Sequence, residues 1–127
     1  MKIRVTEAFI DKDTMHVKFQ SPVGNATASW SGSAPKINEI LDVEINLDDI
    51  FSWGKNIRPA IAKKPHITVI NGVTLVTAEL IQGKDKECAA LKFGDSVILI
   101  EFDEAPAENS GFVEVSTTKI QLYPTNI

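Results

Sequence analysis

The chain has 127 residues, of which 43% are hydrophobic and 24% are charged, and its 17 acidic and 13 basic residues give a net charge of −4. These totals fit one ordinary globular domain and exclude wholesale disorder, collagen and coiled coils. The acidic balance argues against nucleic-acid binding by the whole surface, because that affinity comes mainly from lysine and arginine side chains that neutralise phosphates. It favours solubility or a basic partner.

The first half of the chain predicts β-strands. Apolar and polar residues alternate over residues 2–10 and 14–20, and a polar turn at 11–13 joins these segments as a hairpin. A third strand is expected at residues 25–30. The clearest alternation in the chain, over residues 41–48, predicts a strand with one face on the core and one in water.

A short helix is expected between the third and fourth strands. Ser33 suits a helix cap, Pro35 suits a first turn, and Ile37 and Ile40 have helical spacing. The order strand, strand, strand, short helix, strand is similar to that of an OB-fold, a small five-stranded barrel. This resemblance concerns the order of elements and not a residue motif.

The second half predicts further strands around the Asn71-Gly72 pair, which is the strongest two-residue hairpin signal in the chain. The run at 96–102 is apolar on both parities, which is typical of a central strand covered on both faces. The last two segments form either two strands or one strand interrupted by a bulge. The expected strands of this half are residues 66–70, 73–81, 88–93, 96–102, 112–115 and 119–123.

The sequence therefore predicts an all-β protein with at most one or two short helices, folded as a small antiparallel barrel or sandwich over residues 1–127. The order of elements also allows two pseudo-repeated units, residues 1–54 and 66–127, that share one core and are joined by residues 55–65. The alternative is that any all-β chain contains strand, glycine and strand in this order.

Residues with catalytic or metal-binding chemistry are few. His16 and His66 are expected at the surface, and Cys88 is expected as a buried, inert thiol in a strand of small apolar residues. No spacing suits a zinc site, a calcium loop or a phosphate-binding loop. We expect neither a catalytic residue nor a metal or cofactor, and therefore a protein that is not an enzyme.

One cysteine allows no disulfide within the chain, and the first residues carry no apolar run of signal-peptide length. No stretch approaches the roughly 18 apolar residues of a membrane-spanning helix. We expect a soluble cytoplasmic protein that does not contact a membrane.

One segment departs from the average composition. Residues 55–65 hold four basic side chains and no acidic one, and two aromatic residues precede them. Aromatic and basic side chains together are typical of surfaces that bind single-stranded nucleic acid and of protein-interface hot spots. The alternative is that the aromatic rings fill the core and the lysines are only solvated. The predicted binding residues are Phe51, Trp53, Lys55, Arg58, Lys63 and Lys64.

Three functions follow from these observations. The first is a non-enzymatic protein-interaction domain, similar in kind to small acidic proteins that inhibit or neutralise a basic partner. The second is an OB-like domain that binds single-stranded nucleic acid, although the net charge disfavours it. The third is a barrel that binds a small molecule in its mouth. The partner is expected to be another protein, and a homo-oligomer is also compatible with the sequence.

Overall fold

The computed structural model describes residues 1–82, 88–103 and 110–125, and these residues form strands and loops without a helix. None of the three ranges therefore holds a helix that is long and apolar enough to cross a membrane. The predicted all-β class is confirmed. The strands are β1 (Lys2–Asp11), β2 (Thr14–Ser21), β3 (Gly24–Trp30), β4 (Ile40–Leu47), β5 (Ile50–Phe51), β6 (Ile57–Pro59), β7 (His66–Ile70), β8 (Val73–Gln82), β9 (Cys88–Phe93), β10 (Ser96–Phe102), β11 (Ser110–Thr117) and β12 (Ile120–Pro124).

Five strands close into a barrel in the cyclic order β1, β2, β3, β12, β4. Four of the five pairings are antiparallel, and β3 pairs with β12 in parallel at Ser29 and Trp30. The last strand of the barrel thus comes from the end of the chain, because residues 48–119 are inserted between β4 and β12. The two closing segments are separate strands and not one strand with a bulge.

The inserted residues form a sheet beside the barrel. Its strands follow the order β7, β8, β9, β10, β5, and β11 pairs with the other edge of β8 and carries β6 beyond it. The β7–β8 hairpin turns at Asn71 and Gly72, both with positive φ, as the sequence predicts. The short strands β5 and β6 were not predicted, because two or three residues are too few to show a periodic pattern.

Within the described residues, one backbone bridge from strand β7 joins this sheet to the barrel. Gly24 of β3 lies opposite Ile67 in a parallel bridge, and the Ile67 N–H donates to the carbonyl oxygen of Val23 at 2.8 Å. Buried side chains from the barrel and from the inserted sheet belong to one hydrophobic cluster. The inward parity of each strand supplies this cluster, as the alternation in sequence predicts.

The expected helix over residues 33–40 is wrong. The segment is a loop whose backbone groups bond to β1: the Asn38 N–H donates to the Val5 carbonyl at 2.7 Å, and the Val5 N–H donates to the Glu39 carbonyl at 3.0 Å. Asn38 has a φ of 68°, which a right-handed helix excludes. Long-range pairing with an irregular part of β1 therefore satisfies the groups that a helix would have satisfied locally.

The halves of the chain differ in strand pairing. In the first half β4 pairs with β1, whereas in the second half β10 pairs with β9 and β5. The repeat of residues 1–54 and 66–127 therefore stays a prediction without support from the topology. The expected cover on both faces of β10 is also wrong, since Val97 and Leu99 lie on an exposed face.

Candidate interaction surface

Phe51 belongs to the core and not to a binding surface. Its ring has no exposed area, because β5 pairs in parallel with the end of β10 and places Phe51 on the inward parity beside Phe102. A ligand at the surface cannot reach this ring, so its predicted role in binding is corrected. The sequence could not separate the two roles, because an aromatic residue before a basic segment fits either one.

Trp53 is partly buried and packs against the core cluster. Its indole N–H lies inside the protein without a hydrogen-bond partner among the described residues. A buried N–H without an acceptor costs about 1–3 kcal/mol, so packing of the ring must offset that cost. Trp53 is thus held by the fold, with only part of its ring open to a ligand.

An ordered turn positions Lys55. The Ser52 N–H donates to Asn56 Oδ1 at 2.7 Å, and the Lys55 N–H donates to the Ser52 carbonyl at 3.0 Å. The Ser52 hydroxyl also donates to Asp103 Oδ2. These bonds fix the backbone of the turn and leave the Lys55 side chain in solvent.

Strand β6 presents Arg58 on the outer side of the sheet. The guanidinium lies 3.9 Å from a carboxylate oxygen of Glu114, so part of its charge is compensated. The free edge of β6 offers little to an incoming strand, because Pro59 has no N–H and the Ile57 carbonyl accepts the Gly54 N–H at 2.9 Å. A partner at this edge would have to be recognised through side chains.

The chain then crosses from β6 to β7, which lie on opposite sides of the β8–β11 pair. The Ala60 N–H anchors the start of this crossing to the Phe112 carbonyl at 2.9 Å. Beyond the anchor, Ile61 is fully exposed, and Lys63 and Lys64 extend into solvent. Within residues 1–82, 88–103 and 110–125, neither lysine forms an ion pair.

These placements divide the predicted site. We call Ile61, Lys63 and Lys64 the crossover surface, because one short loop carries all three. Lys55 lies beyond the opposite end of β6, whose three residues span about 10 Å. Ile61 was not among the predicted residues, although an isoleucine inside an acid-free basic segment was a readable signal of an apolar side chain in a polar loop.

A polar groove follows the outer face of β2 and β3 and is bounded by the β7–β8 hairpin. It consists of two adjoining cavities of about 470 and 420 Å³ that share Thr27 and Val69. His16 lies in the first cavity and stacks on Phe9 with ring centroids 5.5 Å apart. The polar side chains lining the groove are Thr6, His16, Lys18, Gln20, Asn25, Thr27, Ser29, Asp48, Thr68, Thr74, Thr118, Lys119 and Gln121.

The two remaining reactive side chains lie at the surface. Cys88 is exposed, which corrects the expected burial: β9 directs Ala89, Leu91 and Phe93 inward and so places Cys88 on the outer parity. His66 is exposed at the start of β7. The described part of the chain holds no group of three or more side chains that could bind a metal ion.

No protein-family model, curated protein or solved structure matches the chain. Function is therefore inferred from two surface features, the crossover surface and the polar groove.

Proposed function

We propose that the chain is a non-enzymatic protein-interaction domain whose crossover surface binds an acidic partner protein. The observation that carries this proposal is Ile61, an isoleucine exposed along its whole side chain next to Lys63 and Lys64. Burying such a side chain in a partner's pocket gains about 1.5–3 kcal/mol, which is the size of an interface anchor.

The lysines specify the chemistry of the partner. Two ammonium groups without an ion-pair partner in the described ranges form a local positive field on a chain of net charge −4. Such a field steers an acidic surface toward the loop, because charges more than about 8 Å away are largely screened at physiological salt. The local charge therefore favours an acidic partner here, in place of the basic partner that the net charge alone favours. We therefore expect a partner with an apolar pocket that is bordered by aspartate or glutamate.

The test compares matched baits. Ile61→Ser and the pair Lys63→Glu with Lys64→Glu alter the crossover surface, whereas Ile37→Ser and Lys36→Glu alter an exposed isoleucine and lysine in the loop between β3 and β4. Proteins captured by the wild-type and loop baits but lost from the crossover baits are purified and titrated. We expect an acidic protein that binds wild type at least tenfold more tightly than Ile61→Ser.

Reversing the charges of Lys63 and Lys64 should affect binding differently from truncating Ile61. Lys63→Glu with Lys64→Glu should slow association and remove most of its salt dependence, while Ile61→Ser should mainly speed dissociation. Surface plasmon resonance separates the two rates. Identical sets of captured proteins for wild type and all four variants, or equal affinity of one purified partner for all five proteins, would contradict the proposal.

A second candidate function is binding of single-stranded nucleic acid by an OB-like barrel. The polar groove favours it, because OB-folds bind oligonucleotides on the face of their second and third strands, and this groove follows β2 and β3. The barrel order β1, β2, β3, β12, β4 and the His16–Phe9 stack are compatible with such a surface. The crossover lysines precede β7, which forms one wall of the groove.

Fluorescence anisotropy with a labelled oligothymidine at low salt tests this second candidate. We expect a Kd tighter than about 10⁻⁴ M, the weak end of non-specific binding, and loss of binding in Lys63→Glu with Lys64→Glu. Lys2→Glu with Lys36→Glu, two exposed lysines outside the groove and the crossover surface, provides the control for the same change in net charge. An anisotropy that does not change up to a protein concentration of about 10⁻⁴ M would remove nucleic acid as a ligand.

A further inference from the structure

The turn between β7 and β8 consists of an asparagine followed by a glycine, and both residues are exposed. Ile70 pairs with Val73, so the turn is two residues long. Asn71 and Gly72 have φ values of 51° and 78°, and two positive values in succession define a type I′ turn. The pair suits this turn because both residue types tolerate positive φ.

Two groups in this turn carry the chemistry, the side-chain amide of Asn71 and the backbone N–H of Gly72. The side chains of Asn46 and Asn56 donate hydrogen bonds, whereas neither group of the turn forms one within residues 1–82, 88–103 and 110–125. The peptide at the centre of a two-residue turn lies outside the ladder of the hairpin, so strand pairing does not use this N–H. Gly72 also has open space around its α-carbon, which leaves its nitrogen unshielded.

We propose that Asn71 is a site of spontaneous deamidation in the folded protein. The Gly72 nitrogen attacks Asn71 Cγ and gives up its proton, the Cγ–Nδ2 bond breaks, and Nδ2 takes the proton and leaves as ammonia. The product is a five-membered succinimide ring. Water then adds to one of the two ring carbonyl carbons, and the bond from that carbon to the nitrogen breaks. Opening at Cγ gives aspartate, and opening at the backbone carbon gives isoaspartate, whose main chain runs through the former side chain.

The hairpin allows this ring to close without movement of its strands. The ring holds Asn71 Cβ and the Gly72 nitrogen nearly eclipsed, which sets the Asn71 ψ at about −120°, the value for the first central residue of a type II′ turn. The φ of Asn71, 51°, already suits that turn. Types I′ and II′ differ by rotation of the peptide between their central residues, and both match the twist of the paired strands. Gly72 permits the rotation because glycine accepts either sign of φ.

Asn38 provides an internal comparison, because it is also exposed and has a similar φ of 68°. The residue after it is Glu39, whose N–H donates to the Lys36 carbonyl at 3.1 Å. The Glu39 carboxylate in turn accepts the Lys36 N–H at 2.9 Å. The nitrogen of Glu39 cannot turn toward Asn38 Cγ without breaking these bonds. We therefore expect Asn71 to react and Asn38 to keep its amide.

The test is a peptide map of the purified full chain after incubation at mildly alkaline pH, folded and in urea. Mass spectrometry follows the conversion of amide to acid, and electron-transfer fragmentation separates isoaspartate from aspartate. In the folded chain Asn71 should convert at least about tenfold faster than Asn38, and at most about tenfold more slowly than in urea, which allows about 1.4 kcal/mol for the rotation. Asn71→Gly, which keeps a neutral turn of the same type, should lack the acidic product on ion exchange.

The two products have effects that can be separated. Both add one negative charge at the turn, and Gly72 lines a cavity of the polar groove that already contains Asp48. Isoaspartate also lengthens the backbone of the turn by one carbon, so it should disturb the Ile70–Val73 pair. Amide exchange at Val73 should therefore rise in the isoaspartate fraction but not in Asn71→Asp, which adds the charge to an unaltered backbone.

Three results would each overturn the inference. They are an Asn71 amide that lasts as long as that of Asn38, conversion in the folded chain more than about tenfold slower than in urea, and conversion to aspartate without isoaspartate. The reaction needs only water and this chain, so its outcome is independent of the proposed partner and of any ligand in the groove.

Discussion

Phe51→Ala is expected to lower the free energy of unfolding by about 3–5 kcal/mol without weakening the intrinsic affinity of the folded protein for any partner. The ring is completely buried where β5 meets β10, so truncation removes apolar contact and leaves a cavity among core residues that cannot fully collapse. Urea denaturation followed by tryptophan fluorescence measures the loss. Phe51→Leu, which should cost less, keeps the measurement accessible if the alanine variant does not fold.

Ile61→Ala provides the matched control for this prediction, since it truncates a large apolar residue ten positions away in the same segment. Its side chain is fully in solvent, so the free energy of unfolding should change by less than about 0.5 kcal/mol. For binding of the partner we expect the opposite result: Ile61 is necessary and Phe51 is not. A cost below about 1 kcal/mol for Phe51→Ala would show that the ring is not a core residue.

Alternation was sufficient to predict the regular strands. The β1–β2 and β7–β8 hairpins and the strands β3, β4, β9 and β10 lie within one or two residues of the expected ranges, since each has a clear parity or a turn signal. The loop at residues 33–40 was predicted wrongly because contacts with a distant part of the chain outweigh its local signals. Its local helix signals were real, but contacts with Val5, more than 30 residues earlier in the chain, satisfy its backbone.

Surface roles were harder to predict than strands. An apolar run on both parities is compatible with a strand covered on both faces and with a strand that leaves one apolar face exposed, and β10 shows that parity alone cannot separate them. Similarly, Phe51 and Ile61 have comparable hydrophobicity and lie in one segment, yet one is in the core and the other in water. The pairing of the two-residue strand β5 with β10 buries Phe51, whereas Ile61 lies in a loop after β6 that has no such pairing.

Closure of the barrel depended on a partner that local patterns do not reveal. Ile120 to Leu122 pair with β4, about 75 residues earlier in the chain, and β12 also meets β3 in parallel. Periodicity identifies a strand but does not identify its neighbours. The barrel class was therefore predictable, whereas the insertion of a whole sheet between its last two strands was not.

Gly24→Ala is expected to destabilise the protein by roughly 2–4 kcal/mol, although it adds only one methyl group. A Cβ at this position would lie 3.0 Å from the Ile67 carbonyl carbon and still closer to its oxygen. The backbone φ of +134° is also one that alanine rarely adopts. Either β7 must move away from β3 or the backbone of β3 must change, and both weaken the bridge that attaches β7 to the barrel.

Gly72→Ala separates the two causes. Gly72 has a φ of +78° but open space around its α-carbon, so alanine there should cost only about 1 kcal/mol of backbone strain. Urea denaturation gives both costs, and amide exchange locates the damage: protection of the Ile67 N–H, bonded to Val23, should fall further in Gly24→Ala than the global stability requires. Because the β7–β8 hairpin also forms one wall of the polar groove, detachment of β7 should weaken the binding of any ligand to that groove. The hydrogen bond from the Ala60 N–H to β11 should persist. Equal costs for the two glycine variants, with unchanged exchange at Ile67, would mean that β3 and β7 do not approach as closely as the structure has them.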